Sequence, residues 1–305
     1  MISVSKFILE NNNREVLPMD QNEFPYICYY REMDSLLGKN FSWHWHGAME
    51  INYAAEGEME IRIPGKTLFL QKGDAAFINS NVMHDIRSRN LMPGCRIYTH
   101  LFDMHLLSGM YNSIFEKKYL APVMKSAELQ AYLIHADSYR HIQMLEKILH
   151  LLKLAKEEPF GYEFEIRSEL CRFWCLFFEE TASLRADSPA RNDMDEERLK
   201  LMMDYIHLNY AEKITLDEIA AVASISSREC TRCFQRCIGI SPVNYLISFR
   251  IRTAAQMLLT TNHSIAAVSE DCGFSSPSYF GKTFYEYTNC TPKEYRQRQT
   301  TPPNT

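Results

Sequence analysis

The residues from Ile214 to Arg298 are written twice, and that duplication limits what the chain can fold into. Displaced by 49 residues, Leu216 falls on Ile265, Ile219 on Val268, Ile225 on Phe274 and Ser227 on Ser276. After one inserted residue, Arg232 falls on Lys282, Phe234 on Phe284, Gly239 on Asn289 and Tyr245 on Tyr295. Ser241-Pro242 likewise falls on Thr291-Pro292. Two copies are too few for a solenoid, which needs at least about three units to close its core. Two small helical modules in tandem remain.

Each copy carries the punctuation of a helix-turn-helix. Thr215-Leu-Asp-Glu218 and Ser226-Ser-Arg-Glu229 both read as capping boxes, in which a hydroxyl takes an orphan amide and the Glu reaches back. Between them Ser224-Ile225-Ser226 makes the turn, and Gly239 suits the left-handed position that ends the second helix. In the second copy Ser264 opens the first helix and Cys272-Gly273-Phe274 makes the turn. Ser276-Pro277 then opens the second helix by N-cap and N1 proline, and that helix ends near Thr288-Asn289. The small residues Ala220 and Ser269 stand where the paired helices cross. A helix from Ser241-Pro242 to about Leu259 separates the modules. At ~1.5 Å per residue it spans roughly 27 Å, close to one turn of DNA.

These residues resemble the DNA-binding domain of AraC/XylS-family bacterial transcription regulators. The resemblance covers roughly the last hundred residues. It is carried by Ile265 to Val268, by Gly273-Phe274-Ser275-Ser276-Pro277-Ser278-Tyr279-Phe280, by Phe284, and by Thr291-Pro292-Lys293-Glu294-Tyr295-Arg296. Two positions depart from the family pattern. Asn289 stands where Gly is usual, which the left-handed region tolerates. Gly281 stands where Ser is usual, which weakens the helix and removes a possible DNA contact.

Helical spacing assigns the faces. Cys230, Cys233, Phe234 and Cys237 form the inward stripe of the first recognition helix, leaving Ser227, Arg228, Thr231, Arg232, Gln235 and Arg236 outward. In the second, Phe280, Thr283, Phe284 and part of Tyr279 turn inward, leaving Ser276, Pro277, Ser278, Gly281 and Lys282 outward. Arg grips guanine O6 and N7, and Thr and Gln read other base edges. Three arginines against one lysine predict that the first module specifies sequence and the second anchors on phosphate. Taken singly, any of these charges is equally well a solvated surface residue. The frame in which they stand makes them DNA contacts.

Composition is consistent with this without proving it. The chain has 305 residues, 46% of them hydrophobic, and a formal net charge of −5. Residues 225–299 hold nine Lys/Arg against five Asp/Glu, a modest basic bias. The nine cysteines are odd in number and lie mostly on apolar helix faces. Cys230, Cys233 and Cys237, at i, i+3 and i+7, read as core, because no helical His nearby completes a metal tetrahedron. A reducing bacterial cytoplasm is therefore expected, with no signal segment and no membrane span.

Ahead of the duplication, residues 1–25 read as a polar lead. From Tyr26 to Phe102 short strands follow closely. They cover Ile27–Tyr30, Phe41–His46, Met49–Ala54, Met59–Ile63, Thr67–Leu70, Ala75–Ile78, Asp85–Arg89 and Cys95–Phe102. Turns fall at Glu56-Gly57, Pro64-Gly65 and Lys72-Gly73, which reads as an antiparallel barrel or jelly roll. The run Gly38, His44-Trp45-His46, Glu50, Gly57 is similar to the first cupin motif at full spacing. The second motif is partial: Gly73 and His84 stand in place, but Asn79 and Asn81 replace the usual Pro and Gly. The expected fold is thus two-domain, a cupin-like β-barrel followed by helices and then an all-α domain with two helix-turn-helix motifs.

In metal-binding cupins the positions of His44, His46, Glu50 and His84 are the ligands, and alternate strand residues do point one way. An imidazole–carboxylate set suits iron, manganese or zinc. The main expectation is nevertheless that these four line a pocket for a small polar effector, a sugar or other polar metabolite, with no metal or other cofactor required. Tyr98 and His100, sharing a face of the last strand with Arg96 and Phe102, are expected to converge on the same cavity. Trp43 and Trp45 point to the opposite side of their strand and read as packing.

Helices are expected at about 126–133, 138–157 and 162–184. The middle one carries Ile142, Leu145, Ile148, Leu149, Leu152 and Leu154, the third Ile166, Leu170, Phe173, Trp174 and Phe177. Both stripes are wider than covering a barrel requires. The resemblance implies that such helices pair two subunits, so a homodimer is expected, against intrachain packing of the same helices. The predicted organisation is 1–184 for effector binding and dimerisation, 185–195 as linker, 196–298 for DNA binding and 299–305 as a disordered tail. The function expected is that of a ligand-responsive transcription regulator, by resemblance more often an activator that meets RNA polymerase, and not an enzyme. Two rivals stand beside it: an effector-independent dimeric regulator, and a metal-dependent cupin isomerase or oxygenase joined to a DNA-binding tail.

Overall fold

A computed structural model describes residues 2–3, 14–15, 17, 24–36, 39–110, 112–186 and 194–297. The chain divides into two compact units, Met1–Asp193 and Met194–Thr305. The expected tail 299–305 and Gly38 lie outside the described residues.

The first unit is a two-sheet barrel. Its strands are β1 (Ile2–Ser3), β2 (Tyr26–Glu32), β3 (Asn40–His44), β4 (Met49–Glu56), β5 (Met59–Ile63), β6 (Lys66–Leu70), β7 (Ala75–Ile78), β8 (His84–Ser88), β9 (Arg96–Phe102) and β10 (Ala131–Ile134). One sheet runs β1-β2-β9-β4-β7-β10 and the other β3-β8-β5-β6. Period-two alternation puts Ala54, Ala76, Ile78 and Ile97 of the larger sheet against Met59, Ile61, Leu68 and Ile86 of the smaller. At the tight turns Gly57, Gly65 and Gly73 all have positive φ, which an L side chain rarely adopts.

The outer face of the larger sheet is covered by helices. After α1 (His105–Ser108), one π-helical turn (Glu116–Leu120) and α2 (Ala121–Met124) come the long α3 (Tyr139–Glu157) and α4 (Tyr162–Glu180), then α5 (Ala182–Ala186). Tyr26, Met49, Ile51, Phe77 and Phe102 of the sheet meet Met144, Ile148, Leu151, Ile166, Phe173 and Phe177 of α3 and α4. The alternative weighed for these helices, packing within the chain, accounts for that buried stripe. It leaves Phe160 and Phe164 in solvent, at 109% and 81% exposure.

Two expectations are corrected here. Residues 126–133 are not a helix. Ala131 to Ile134 pair antiparallel with Ile78 to Ala75, and an edge strand with waiting partners outweighs local propensity. The opening residues are not merely a polar lead, because Ile2 and Ser3 pair with Cys28 and Tyr29 while Leu17 and Glu15 are buried. The boundary between the two units falls within 185–195, between the end of α5 at Ala186 and the start of α6 (Met194–Asn209). Residues 187–193 lie outside the described residues.

The second unit continues with α7 (Leu216–Ala221), α8 (Ser227–Ile238), α9 (Pro242–Thr260), α10 (Ile265–Asp271), α11 (Pro277–Thr288) and α12 (Pro292–Gln297). Thr215, Ser226, Ser241, Ser264 and Ser276 each accept an N3 amide, from Glu218, Glu229, Asn244, Ala267 and Tyr279. Such a cap contributes ~1 kcal/mol, so five of them do much to fix where these short helices start. Gly239 and Asn289 close α8 and α11 in the left-handed region. Leu199, Met202, Met203 and Ile206 of α6 are fully buried.

Candidate functional sites

In the second unit the core stripe and the outward stripe of each recognition helix separate as spacing predicts. Cys230, Cys233, Phe234 and Cys237 of α8 are buried, as are Phe280, Thr283 and Phe284 of α11. Phe280 meets Phe274 and Phe284 ring to ring, and Phe284 meets Tyr295. The three cysteines are packing groups in this helix, and burial pushes the Cys230 thiol up to about 11.

The outward residues are not equivalent. The Ser227 hydroxyl is taken by Asp217, and Thr231 donates back to the Ser227 carbonyl at 3.1 Å. Gln235 Nε2 donates to Gly239 O at 3.2 Å. Arg236 is held by two carboxylates, with Nη2 2.9 Å from Asp195 Oδ2 and 2.7 Å from Glu229 Oε1. The second capping box is therefore only half made, because Glu229 turns to arginine instead of its N-cap amide. That leaves Arg228, exposed, and Arg232, whose nearest carboxylate is Glu229 at 3.9 Å, as the guanidiniums ready for DNA. On α11, Ser276 is spent as N-cap, while Pro277, Ser278 and Lys282 are exposed. Lys282 is 77% exposed and 4.0 Å from Glu286. The helix face also carries exposed Tyr279 and Tyr285, which spacing read as partly inward or did not single out.

In the barrel, His44 and His84 stand directly opposite each other across β3 and β8. Glu50 projects from β4 of the other sheet, and His46 lies in the turn between. One potential ligand atom from each of the four falls within 4.8 Å of the others, and all four are buried. Asn79 and Asn81, the departures in the second motif, preserve the turn that sets His84. The Asn79 amide donates to Val123 O and Leu129 O at 3.0 and 3.1 Å, and Asn81 takes the positive φ of the usual Gly.

The hydrogen bonds fix the imidazole tautomers. Nδ1 of His44 lies 2.8 Å from Ser42 O, Nδ1 of His46 3.0 Å from Ala48 O, and Nδ1 of His84 2.9 Å from Val82 O. A carbonyl oxygen only accepts, so each Nδ1 carries the proton. In a neutral ring Nε2 is then a lone pair, and those of His46 and His84 point at Glu50. His46 Nε2 is 2.8 Å and His84 Nε2 3.1 Å from the same Glu50 Oε2. Lone pairs facing a carboxylate in a buried place require a positive charge between them.

The direction of the pKa shifts follows from that crowding. Burial holds His44 well below the ordinary imidazole value, helped by the neighbouring His84 and His46. Burial also pulls on His84, but Glu50 outweighs it and raises that group. Burial would raise Glu50, yet His84 and His46 hold it well below the carboxylate range. Glu50 thus favours the charged form of His84, as it would favour a cation in that place. Imidazoles that donate Nδ1–H to carbonyls and present Nε2 to one point have the outer-shell arrangement of metal-binding histidines. The residues fit a divalent transition ion.

Of the four, His44 and Glu50 also line a cavity. The cavity lined by His44, Glu50, Glu15, Arg31 and Thr99 is about 20 Å³, room for one water-sized occupant. Tyr98 and His100, expected to converge on the same cavity, instead lie on the opposite face of the sheet. Thr99 and Leu101 face the cavity instead. His100 Nδ1 is bonded to Tyr26 Oη at 2.7 Å, and burial pushes its pKa down to about 3. Tyr98 packs against the Tyr30 ring at a tilt, with Lys156 of α3 over its own ring. The period-two rule gave the pairing of Tyr98 with His100, but not which face is inside. Glu15 was missed, and no local pattern marks it. Its place is set by a bridge between Arg14 and Trp45.

The chain was then compared with known proteins. Residues 24–173 match the model of the AraC-like ligand binding domain, and residues 219–298 that of a helix-turn-helix domain. Over 295 residues the chain is 26% identical to the HTH-type transcriptional regulator YdeC of Bacillus subtilis, covering 96% of this chain and 99% of that one. It is 22% identical over 272 residues to the melibiose operon regulatory protein of Escherichia coli, covering 85% and 86%. Among solved structures it resembles fatty-acid-bound ToxT of Vibrio cholerae at 13% identity and a TM-score of 0.47, covering 90% and 96%. No helix among the described residues is long and apolar enough to cross a membrane. With a ligand-binding barrel ahead of two capped helix-turn-helix modules, the chain belongs to the AraC family of DNA-binding transcription regulators.

Proposed function

We propose that the chain is a cytoplasmic, sequence-specific activator that works as a homodimer, engages RNA polymerase and answers to a small-molecule effector taken up by its first unit. The observation that carries the DNA reading is the pair of capped recognition helices, each turning an apolar stripe inward. Their outward faces hold Arg228 and Arg232 in one and Ser278 and Lys282 in the other. Selection of duplexes from a random pool by the full chain tests it. Recovery of two short motifs about one helical turn apart is expected, and a pool that never converges sinks the reading.

Lys282→Ala should weaken all duplexes alike and reduce the slope of log K against log salt by about 1, with the selected motif unchanged. Titration at several salt concentrations measures it. An altered motif at unchanged slope would assign Lys282 to base reading instead.

For the dimer, the outer face of α4 supplies the surface. Phe164, Cys171, Cys175 and Phe178 follow each other at helical spacing along a groove of about 830 Å³ that also takes in Phe115 and Tyr119. Phe164→Asp removes about 2 kcal/mol of apolar burial from each subunit and adds a charge that resists burial. Light scattering should show at least a hundredfold weaker dimer. Dimers of wild-type strength would move the interface elsewhere.

A sugar is the first effector class to screen, since one relative is named for the melibiose operon. Its site is placed by this reading in the first unit, whose residues 24–173 match the ligand-binding model. A divalent ion held by His44, His46, Glu50 and His84 would supply positive charge where those groups converge and cross-link the two sheets. The chain is proposed to act as a regulator and not as an enzyme, as its relatives' names support.

A further inference from the structure

We infer that Glu15 completes the cation site as a second carboxylate ligand, so that a bound ion fastens the chain around Glu15 to the barrel. The inference rests on the reading of His44, His46, Glu50 and His84 as a cation site. Glu15 stands 29 residues before His44 in sequence, yet its side chain is buried and lines the same small cavity as His44 and Glu50. Its Oε2 is 3.7 Å from His44 Nε2. That is too long for a hydrogen bond, but close to the roughly 3–3.6 Å that separates two ligands each ~2.0–2.2 Å from one ion.

The backbone holds Glu15 in register for that role. Its amide donates to Trp45 O at 2.9 Å, between the two motif histidines, and Leu17 is buried against Ile27, Tyr29, Ala48 and Leu101. The charges then balance: three neutral imidazoles and two carboxylates neutralise one divalent ion. Without the ion, two carboxylates share a buried space where, among the described lining residues, the one guanidinium is that of Arg31, laid over the Tyr29 ring with Nη1 lacking a hydrogen bond. Arg31 is the rival partner for Glu15, and the test must separate the two.

The full chain, stripped with chelator, is titrated with Co²⁺ while its visible d–d bands are recorded, and hydrogen exchange around Glu15 is followed with and without the ion. Wild type should bind one Co²⁺ per chain and slow exchange around Glu15. Glu15→Gln should bind at least tenfold more weakly, with shifted bands and no slowing, while Arg31→Gln should bind as wild type does. Absence of Co²⁺ binding by the wild type, with no binding change in His84→Ala, would overturn the cation site itself. Tight binding with unchanged bands in Glu15→Gln would overturn the role of Glu15 and leave the four-residue site standing. Wild-type binding without slower exchange would likewise overturn the fastening.

Discussion

Replacing Arg228 and Arg232 together with alanine lowers affinity for the selected DNA by about 2–6 kcal/mol, roughly 30-fold to 10⁴-fold. Each good bidentate contact to a base is worth ~1–3 kcal/mol, and losses at separate base pairs are roughly additive. The two side chains sit one helical turn apart on the outward face of α8. Among the described residues no carboxylate pairs with Arg228, and Arg232 has Glu229 only at 3.9 Å. Arg236→Ala serves as the comparison. Its guanidinium is already held by Asp195 and Glu229, so freeing it for DNA means giving up both contacts. Its loss should cost less than 1 kcal/mol in DNA binding, and little in stability, because the pair lies at the surface. Fluorescence anisotropy with the selected duplex, at one stated salt concentration, measures all three. If Arg236→Ala cost as much as the double variant, the whole outward face would read bases and the distinction drawn from its ion pairs would fail.

That distinction marks the limit of what the sequence made legible. The i, i+3, i+4, i+7 periodicity of α8 was enough to tell Cys233 and Phe234 from Arg232 and Arg236, because burial follows helix geometry. It was silent on Asp195, 41 residues earlier, which takes Arg236 through a contact between helices. The same holds in the barrel. Strand alternation and the His44-Trp45-His46 spacing located the four convergent groups, since period two decides which side chains share a face. It did not decide which face of β9 turns inward, and so placed Tyr98 and His100 with the wrong set. Glu15, Ile2 and β10 were illegible for one reason: each owes its position to pairing with a distant strand. Ala131 to Ile134 has no strand signal of its own that outweighs its neighbours, and β7 supplies the missing bonds.

The turn of the second module yields the sharpest stability contrast. Gly273 and Gly239 have nearly the same φ, +72° and +70°. A methyl group on Gly239 would meet nothing within 4 Å, whereas one on Gly273 would stand 2.7 Å from the carbonyl oxygens of both Tyr210 and Ala211. Gly239→Ala should therefore show the conformational cost alone, ~1–2 kcal/mol for a non-glycine residue in the left-handed region. Gly273→Ala adds to this an overlap with main chain that cannot rotate away, worth a further ~1–3 kcal/mol as overpacking. The expected total is about 2–5 kcal/mol, enough to unfold a marginal helical unit. The loop after α6 is also where Arg250 donates to Tyr210 O at 2.7 Å and to Glu212 O at 2.8 Å, so a shift of that loop breaks a second set of contacts. Urea unfolding of the full chain, followed by circular dichroism at 222 nm for its helical content, would read both variants against wild type. Equal losses at the two glycines would mean that the loop yields freely and that α10 and α11 are not braced against it. A loss confined to Gly273→Ala, together with lost DNA binding, would place the rigidity of the second recognition helix in that contact between a turn and a loop.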